Sequence, residues 1–296
     1  MPPLDKPREQ ALAILRRAED GVFAGALLEQ ARPSFSPLDN AFILELVYGT
    51  LRNRERIDWA LDQFSKKPVR KTDPWTRNIL RLGAYQLLFL DRVPASAAVN
   101  TSTELAKHHG KKPGYANGLL RNLERNRNAV AWPGPADPVK HLSVLYSHPA
   151  WLVRRWVERF GVEAAEALLA SNNQPAPLTV RTNTLKTTRE ELKASLESQG
   201  VWTRETAFSP AGLEIVSSHA GITTLQAFQD GWFMVQDQAA QLVGMLLAPK
   251  PGETVLDACA APGGKATHLA EMMKDEGTVV ALESDPRRIE RIRDNS

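Results

Sequence analysis

The residues best placed to do chemistry are "DACAAPGGK" at 257–265, where two adjacent glycines, a lysine and the chain's single cysteine share one turn. The apolar run "TVLDA" leads into it and a helical pattern follows, so the expected unit is strand, glycine turn, helix. A phosphate-gripping loop of the G-x-x-x-x-G-K-[ST] kind is excluded. Cys259 stands at its first glycine and Ala266 at its hydroxyl position, so no side chain is left to ligate magnesium. The dinucleotide pattern G-x-G-x-x-G is absent as well.

What remains is a turn whose Gly263 and Gly264 let a ligand approach the backbone closely. A second strand pattern, "GTVVALES", ends in Glu283, twenty positions after Gly263. An acid there can accept hydrogen bonds from both ribose hydroxyls of an adenosine lying over the strand ends. A nucleoside without pyrophosphate meets these constraints, and S-adenosylmethionine is the expected cofactor, with Lys265 available to its carboxylate. The competing reading is a glycine turn that only permits tight strand-to-helix packing. A nucleophilic role for Cys259 would require a lowered pKa and a neighbouring base. It precedes a helix N-terminus, but no histidine lies near it in sequence, and it reads as a small packing residue.

The elements that must position this turn fall into three segments. Residues 1–137 read as helices. Ala11, Ile14, Leu15 and Ala18 form one apolar face, and Phe42, Leu46, Tyr48 and Leu51 repeat the pattern. An Asp-Pro step opens "DPWTRNILRLGAYQLLFL", and Gly110 is the expected stop of "PASAAVNTSTELAKHH". "AWPGPADP" at 131–138 is the expected linker. Residues 138–231 read as a small α/β module. It begins with a helix capped by Ser147 or His148, with Pro149 at its first position and Gly161 as its stop. The strand "LTVRTNT", a helix with a Thr188-to-Glu191 capping box, and the strands "VWTRETAF" and "GLEIVSS" follow. Residues 232–296 alternate helix, strand, turn, helix, strand, the order of a parallel Rossmann-type sheet.

The 296-residue composition is that of a globular protein with net charge +3. The charge is uneven: positions 1–135 hold 21 basic against 14 acidic residues, so the helical segment is the part expected to meet a polyanion. The longest apolar run, "AYQLLFL", is too short to cross a bilayer, and "MPPLDKPREQ" lacks the apolar core of a secretory signal. One cysteine excludes a disulfide framework and fits a reducing cytosol. The six histidines show no metal spacing, so no metal is expected, and His108-His109 reads as a solvated helix end.

"DACAAPGGKATH" resembles the adenosylmethionine motif of the RNA cytosine methyltransferases that make 5-methylcytosine, and "GWFMVQDQAAQLV" resembles the segment leading into it. "ELVYGTLRNRERIDWAL" and "ILRLGAYQLLFLDRVPASAAVNTSTELAK" resemble the NusB-like domain that precedes the catalytic part in the RsmB-type family of bacterial small-subunit rRNA enzymes. "YSHPAWLVRRW" and "LTVRTNTLK" resemble the middle region of that family. The resemblance covers essentially the whole chain in order. It implies a multidomain fold: an all-α NusB-like bundle, a small α/β module, and part of a Rossmann-like class I methyltransferase domain. It implies that Cys259, Ala260, Ala261, Pro262, Gly263, Gly264 and Lys265 line the cofactor pocket and that Glu283 holds the ribose. The segment of Cys259 would then face the cofactor and not the target base.

The resemblance also implies what is missing. That family attacks carbon 6 of cytosine with a cysteine thiolate and uses a second cysteine to release the product, with an aspartate beside the second cysteine. These residues lie in D-A-P-C and T-C-S motifs, and neither motif occurs here. The sequence stops at Ser296 inside the helix after the second strand. The expectation is therefore a cytoplasmic, monomeric chain that binds small-subunit rRNA and adenosylmethionine without completing methyl transfer alone. The alternative is a non-catalytic RNA-binding or antitermination adaptor. A nicotinamide-dependent oxidoreductase is disfavoured by its missing glycine pattern.

For RNA contact the expected residues are Arg52, Arg54 and Arg56 in "RNRER", Arg121 and Arg125 on one helical face, and Arg181 in "VRTNTLK". The competing reading pairs Arg54 and Arg56 with Glu55 and Asp58 on an ordinary surface. Trp151 and Trp156 read as core residues.

Overall fold

A computed structural model of the chain describes residues 4–109, 111–218 and 221–295. Gly110, the expected helix stop, lies outside the described residues. The chain divides into two compact units between Gln174 and Pro175.

The first unit is helical: α1 (Lys6–Glu19), α2 (Ala24–Ala31), α3 (Pro37–Arg52), α4 (Arg54–Asp62), α5 (Pro74–Phe89), α6 (Ala95–His108), α7 (Pro113–Arg125), α8 (Pro138–Leu145), α9 (Ala150–Phe160) and α10 (Val162–Asn172). Three of its helix starts share one local device. Ser36, Asp73 and Asp137 each accept a backbone N–H three residues on, with proline at the first helical position. Proline has no N–H to lose there, and the capping oxygen satisfies one of the donors that a helix start leaves unpaired.

Leu12, Leu15, Ile43, Leu46, Ile57, Leu61, Ile79, Leu80, Leu82, Leu105 and Leu120 are fully buried and form one core. Within it α5 is buried along most of its length. Its one buried cation, Arg81, makes two hydrogen bonds to Asp58, at 2.7 and 2.6 Å. Asp58 is therefore spent on Arg81 and not on Arg56.

The expected linker is not free. The Trp59 indole donates to the Ala131 carbonyl at 3.0 Å, and the Ala131 N–H donates to Gln63 at 2.9 Å, strapping this segment along α4. Ser147 does not cap α9. It sits at φ +54, and its Oγ accepts from the Glu55 N–H, so Pro149 is the residue before the helix. Trp151 is exposed, against expectation, because its helix turns only Val153 fully inward. Trp156 packs with Leu142, Val153 and Leu169.

The second unit opens with β1 (Leu178–Thr182), α11 (Arg189–Ser198), β2 (Val201–Glu205), β3 (Gly212–Ser218), α12 (Gln226–Gln229) and β4 (Phe233–Val235). Its sheet order is β2-β3-β1-β4 with every pair antiparallel. This βαββαβ arrangement is ferredoxin-like. The Thr188–Glu191 capping box is present in full. β4 lies beyond the expected module boundary at 231. At three residues it is too short for alternation to reveal it in sequence, and pairing with β1 defines it.

Then come α13 (Gln238–Leu247), β5 (Thr254–Asp257), α14 (Gly264–Met272), β6 (Thr278–Ala281) and α15 (Pro286–Asn295). β5 and β6 pair in parallel, from Thr254 against Thr278 to Asp257 against Ala281, as the alternating pattern requires.

Candidate cofactor site at the glycine turn

The turn runs from Asp257 at the end of β5 to Gly264 at the start of α14. Gly263 adopts φ +109, a conformation that strains any residue with a Cβ. Its N–H returns to the Ala260 carbonyl at 2.7 Å, which closes the turn. The Ala260 N–H donates to the Leu282 carbonyl at 2.9 Å, so the loop after β5 is tied to the end of β6. That tie is what brings Glu283 beside the turn.

Asp257 is buried. One of its carboxylate oxygens accepts from the Cys259 N–H at 3.2 Å, and the other has no partner. A buried carboxylate oxygen without a donor is costly, and a ligand ammonium or hydroxyl would satisfy it. Cys259 itself is exposed, so it is not the packing residue its small neighbours suggested. Ala260, Ala261 and Gly263 are buried in the turn together with Asp257. Lys265 is partly exposed, and its ammonium has no partner among the described residues.

Glu283 accepts from the Asp285 N–H at 3.0 Å and faces Arg288 at 3.3 Å. The backbone N–H of Asp285, and then the Arg288 guanidinium, hold its carboxyl below the usual range. Arg288 also donates to the Ala261 carbonyl at 3.1 Å, so a single guanidinium spans the acid and the turn. The last helix lies directly on the turn. The Asn295 amide donates to the Pro262 carbonyl at 2.8 Å, and a Cβ on Gly263 would stand 3.5 Å from the Ile292 Cα. The donor set thus fits an amino-acid nucleoside such as adenosylmethionine: a half-satisfied Asp257, a free lysine and an acid one strand over. At Gly263 the backbone is covered on one side by α15.

Arg181 is a correction. Expected at the RNA, it is instead 1% exposed and fully engaged inside the unit. It donates to both carboxylate oxygens of Glu271, at 2.6 and 3.2 Å. It also donates to the Gly264 carbonyl at 2.6 Å, to Gln236 and to Thr267. It therefore supports the turn from beneath. Successive side chains of β1 point to opposite faces of the sheet, and both faces are covered: Val180 joins the apolar core on one, and Arg181 meets α14 on the other. Beside it, burial and the Arg181 charge push His268 down to about 4.

The remaining arginines lie on the helical unit. Arg52, Arg54, Arg121 and Arg125 are exposed, and Arg56 is partly buried. Arg54 pairs with Glu55 at 3.2 Å, as the plain-surface reading holds, and Arg121 donates to Asn117. One grouping was invisible in the spacing. Glu9, His108 and His109 offer ligand atoms within 4.8 Å of one another, because α1 and α6 come together. His109 is no solvated end: it stacks on Trp75 at 4.0 Å.

Similarity to known proteins follows the same order along the chain. Residues 5–125 match the NusB family, 148–220 the Methyltr_RsmF/B-like, ferredoxin-like domain, and 244–296 the 16S rRNA methyltransferase RsmB/F family. Together with the fold, this defines the class: a methyltransferase architecture in which a NusB-type bundle and a ferredoxin-like module precede the catalytic sheet. Within that class the chain is similar, segment by segment, to the RsmB/F family of rRNA methyltransferases.

A relative from Synechocystis sp., "Probable ribosomal RNA small subunit methyltransferase B", is 40% identical over 87% of this chain and 58% of its own length. One of the same name from Bacillus subtilis is 34% identical over 95% of this chain and 63% of its own. The chain thus spans about three-fifths of the length of these curated relatives. The crystal structure of PH0851 superposes with a TM-score of 0.73 at 27% identity, covering 98% of this chain and 66% of that one. Among the described residues no helix is long and apolar enough to cross a membrane.

Proposed function

We propose that this chain is the RNA-binding and cofactor-docking part of an enzyme that transfers a methyl group from S-adenosylmethionine to carbon 5 of a cytosine in small-subunit rRNA. The observation that carries the reading is the turn itself: Gly263 at φ +109, between the half-satisfied Asp257 and the carboxylate of Glu283. The names of the relatives support the reaction class, and their small-subunit rRNA is the substrate proposed here.

The cofactor, when bound, supplies an electrophilic methyl group. Glu283 binds the ribose hydroxyls, Asp257 receives the ammonium, Lys265 meets the carboxylate, and Cys259 to Gly264 provide the wall. Arg181 holds the wall in place through Gly264. Cys259 performs no nucleophilic step, and the chain, lacking D-A-P-C and T-C-S motifs, does not complete methyl transfer by itself. Arg52, Arg54, Arg121 and Arg125 hold rRNA phosphates from the bundle. The protein works as a cytoplasmic monomer without a metal.

Titration calorimetry tests the cofactor assignment. Adenosylmethionine should bind with heat that NAD does not produce, and equal binding of NAD would end the assignment. Incubation with naked small-subunit rRNA and labelled adenosylmethionine should leave the RNA free of 5-methylcytosine; product made by this chain alone would overturn the role given to Cys259.

A further inference from the structure

A cavity of about 580 Å³ opens in the helical unit where α4, the end of α5 and the start of α6 meet the 127–132 segment. Its most unusual occupant is Arg56. The guanidinium lies over two rings, 5.2 Å from the centre of Phe89 and 5.0 Å from that of Trp132. Its Nε–H is buried and has no acceptor. Burial pulls the group below the ordinary guanidinium range, with Tyr146 acting the other way.

A planar cation held by aromatic faces keeps its charge along its edge, where the N–H donors point. Those donors have no carboxylate partner among the described residues, and neither have those of Arg127, the second arginine on the same wall. The first turn of α6, a 14-residue helix without a side-chain cap, adds the unpaired backbone N–H of Ala95. One acid, Asp91, faces the same space.

We infer that this cavity is a nucleotide-binding site, which takes the phosphate of one RNA nucleotide on the edges of Arg56 and Arg127 and a sugar or base donor of that nucleotide on Asp91. The assignment deepens the RNA-binding reading above and rests on it. Two guanidiniums on one wall, Arg56 held over two rings and Arg127 exposed, both without a carboxylate partner among the described residues, offer their outer N–H groups to an anion, and a phosphate oxygen accepts from both. Asp91 decides against a bare anion: its carboxylate repels inorganic phosphate but accepts from a hydroxyl or amino group, which a nucleotide supplies and phosphate does not.

The test uses the full chain with three probes: a labelled single-stranded fragment of small-subunit rRNA, a nucleoside 5′-monophosphate and inorganic phosphate. Anisotropy at several salt concentrations reads RNA affinity, and side-chain ¹H–¹⁵N spectra read the Arg56 Nε–H. Arg56→Gln and the exposed Arg127→Gln should each weaken RNA binding roughly tenfold and lower the salt slope by about one. The monophosphate should shift the Arg56 signal at lower concentration than phosphate does. RNA binding unchanged in both variants overturns the site and leaves RNA binding by the chain standing. If the chain binds no RNA but the monophosphate shifts the Arg56 signal and Arg127→Gln abolishes the shift, the site stands with a free nucleotide as its ligand and the RNA-binding reading falls. Silence from all three probes overturns both. Arg127 is exposed and unpartnered, so its variant reports on binding even where Arg56→Gln loosens the fold.

Discussion

Arg181 on β1 and Glu271 on α14 meet face to face inside the second unit, with the guanidinium donating to both carboxylate oxygens at 2.6 and 3.2 Å. The pair is almost fully buried and ties the ferredoxin-like sheet to the helix that begins at the glycine turn. Removing one partner of such a pair leaves the other charged in a medium that solvates it poorly. Arg181→Met should therefore destabilise the chain by about 3–5 kcal/mol. Arg181→Met with Glu271→Leu should recover most of that loss, because no lone charge remains. Urea unfolding of the three proteins, followed by circular dichroism, measures both effects. A single variant as stable as wild type would mean that the pair carries nothing.

His268 gives the second unit a pH dependence of known sign. Burial, then the Arg181 charge, depress its pKa to about 4 in the folded state, while an unfolded chain binds the proton near the ordinary value of about 6.5. Between these values the unfolded state holds more protons, so stability is fully present above about 6.5 and is lost as pH falls toward about 4. His268→Gln should flatten this part of the curve. The comparison is the difference in urea midpoint between wild type and variant across that window; parallel curves would show that His268 does not titrate on unfolding.

The adjacent glycines of the turn should respond oppositely to the same change. Gly263→Ala puts a Cβ on a residue at φ +109, 3.4 Å from the Asn295 Cβ. It should cost about 1–3 kcal/mol. Gly264→Ala lies in the first turn of α14, with no atom nearer than 3.6 Å to the new methyl. It should be neutral or stabilising by up to about 1 kcal/mol, through the reduced freedom of the unfolded chain. Thermal melts of both variants decide this.

Arg288 competes with any ligand for Glu283 and for the Ala261 carbonyl. Arg288→Ala should tighten adenosylmethionine binding several-fold in calorimetry, because the acid is then free for ribose hydroxyls. Weaker binding in the variant would mean that Arg288 itself holds the cofactor.

Much of this architecture was legible in the residues because it depends on local rules. The start of α5 was marked by its Asp-Pro step, where a capping oxygen and a proline without an N–H suit the same turn, whereas the same step at Asp137 and Pro138 stood in the expected linker and opens α8 instead. The capping box at Thr188 and Glu191 and the strand–turn–helix at Gly263 are short-range patterns of the same kind. The three-residue strand Phe233–Val235 was not legible, since pairing with β1 creates it. Because of it the module's sheet continues past 231.

By its own content, the sequence determined the helical first segment, the parallel pair β5 and β6, and the glycine turn that joins β5 to α14. Those follow from periodicity, proline and glycine, which act over a few residues. Only the tertiary structure decided which charges are spent and which are free. It buried Arg181 against Glu271, ninety positions away, turned Glu283 onto Arg288, and left Arg56 stacked on Trp132 without an acceptor. Whether a side chain serves the fold or a ligand depends on what the packed chain brings within about 3 Å of it, and no local pattern records that distance.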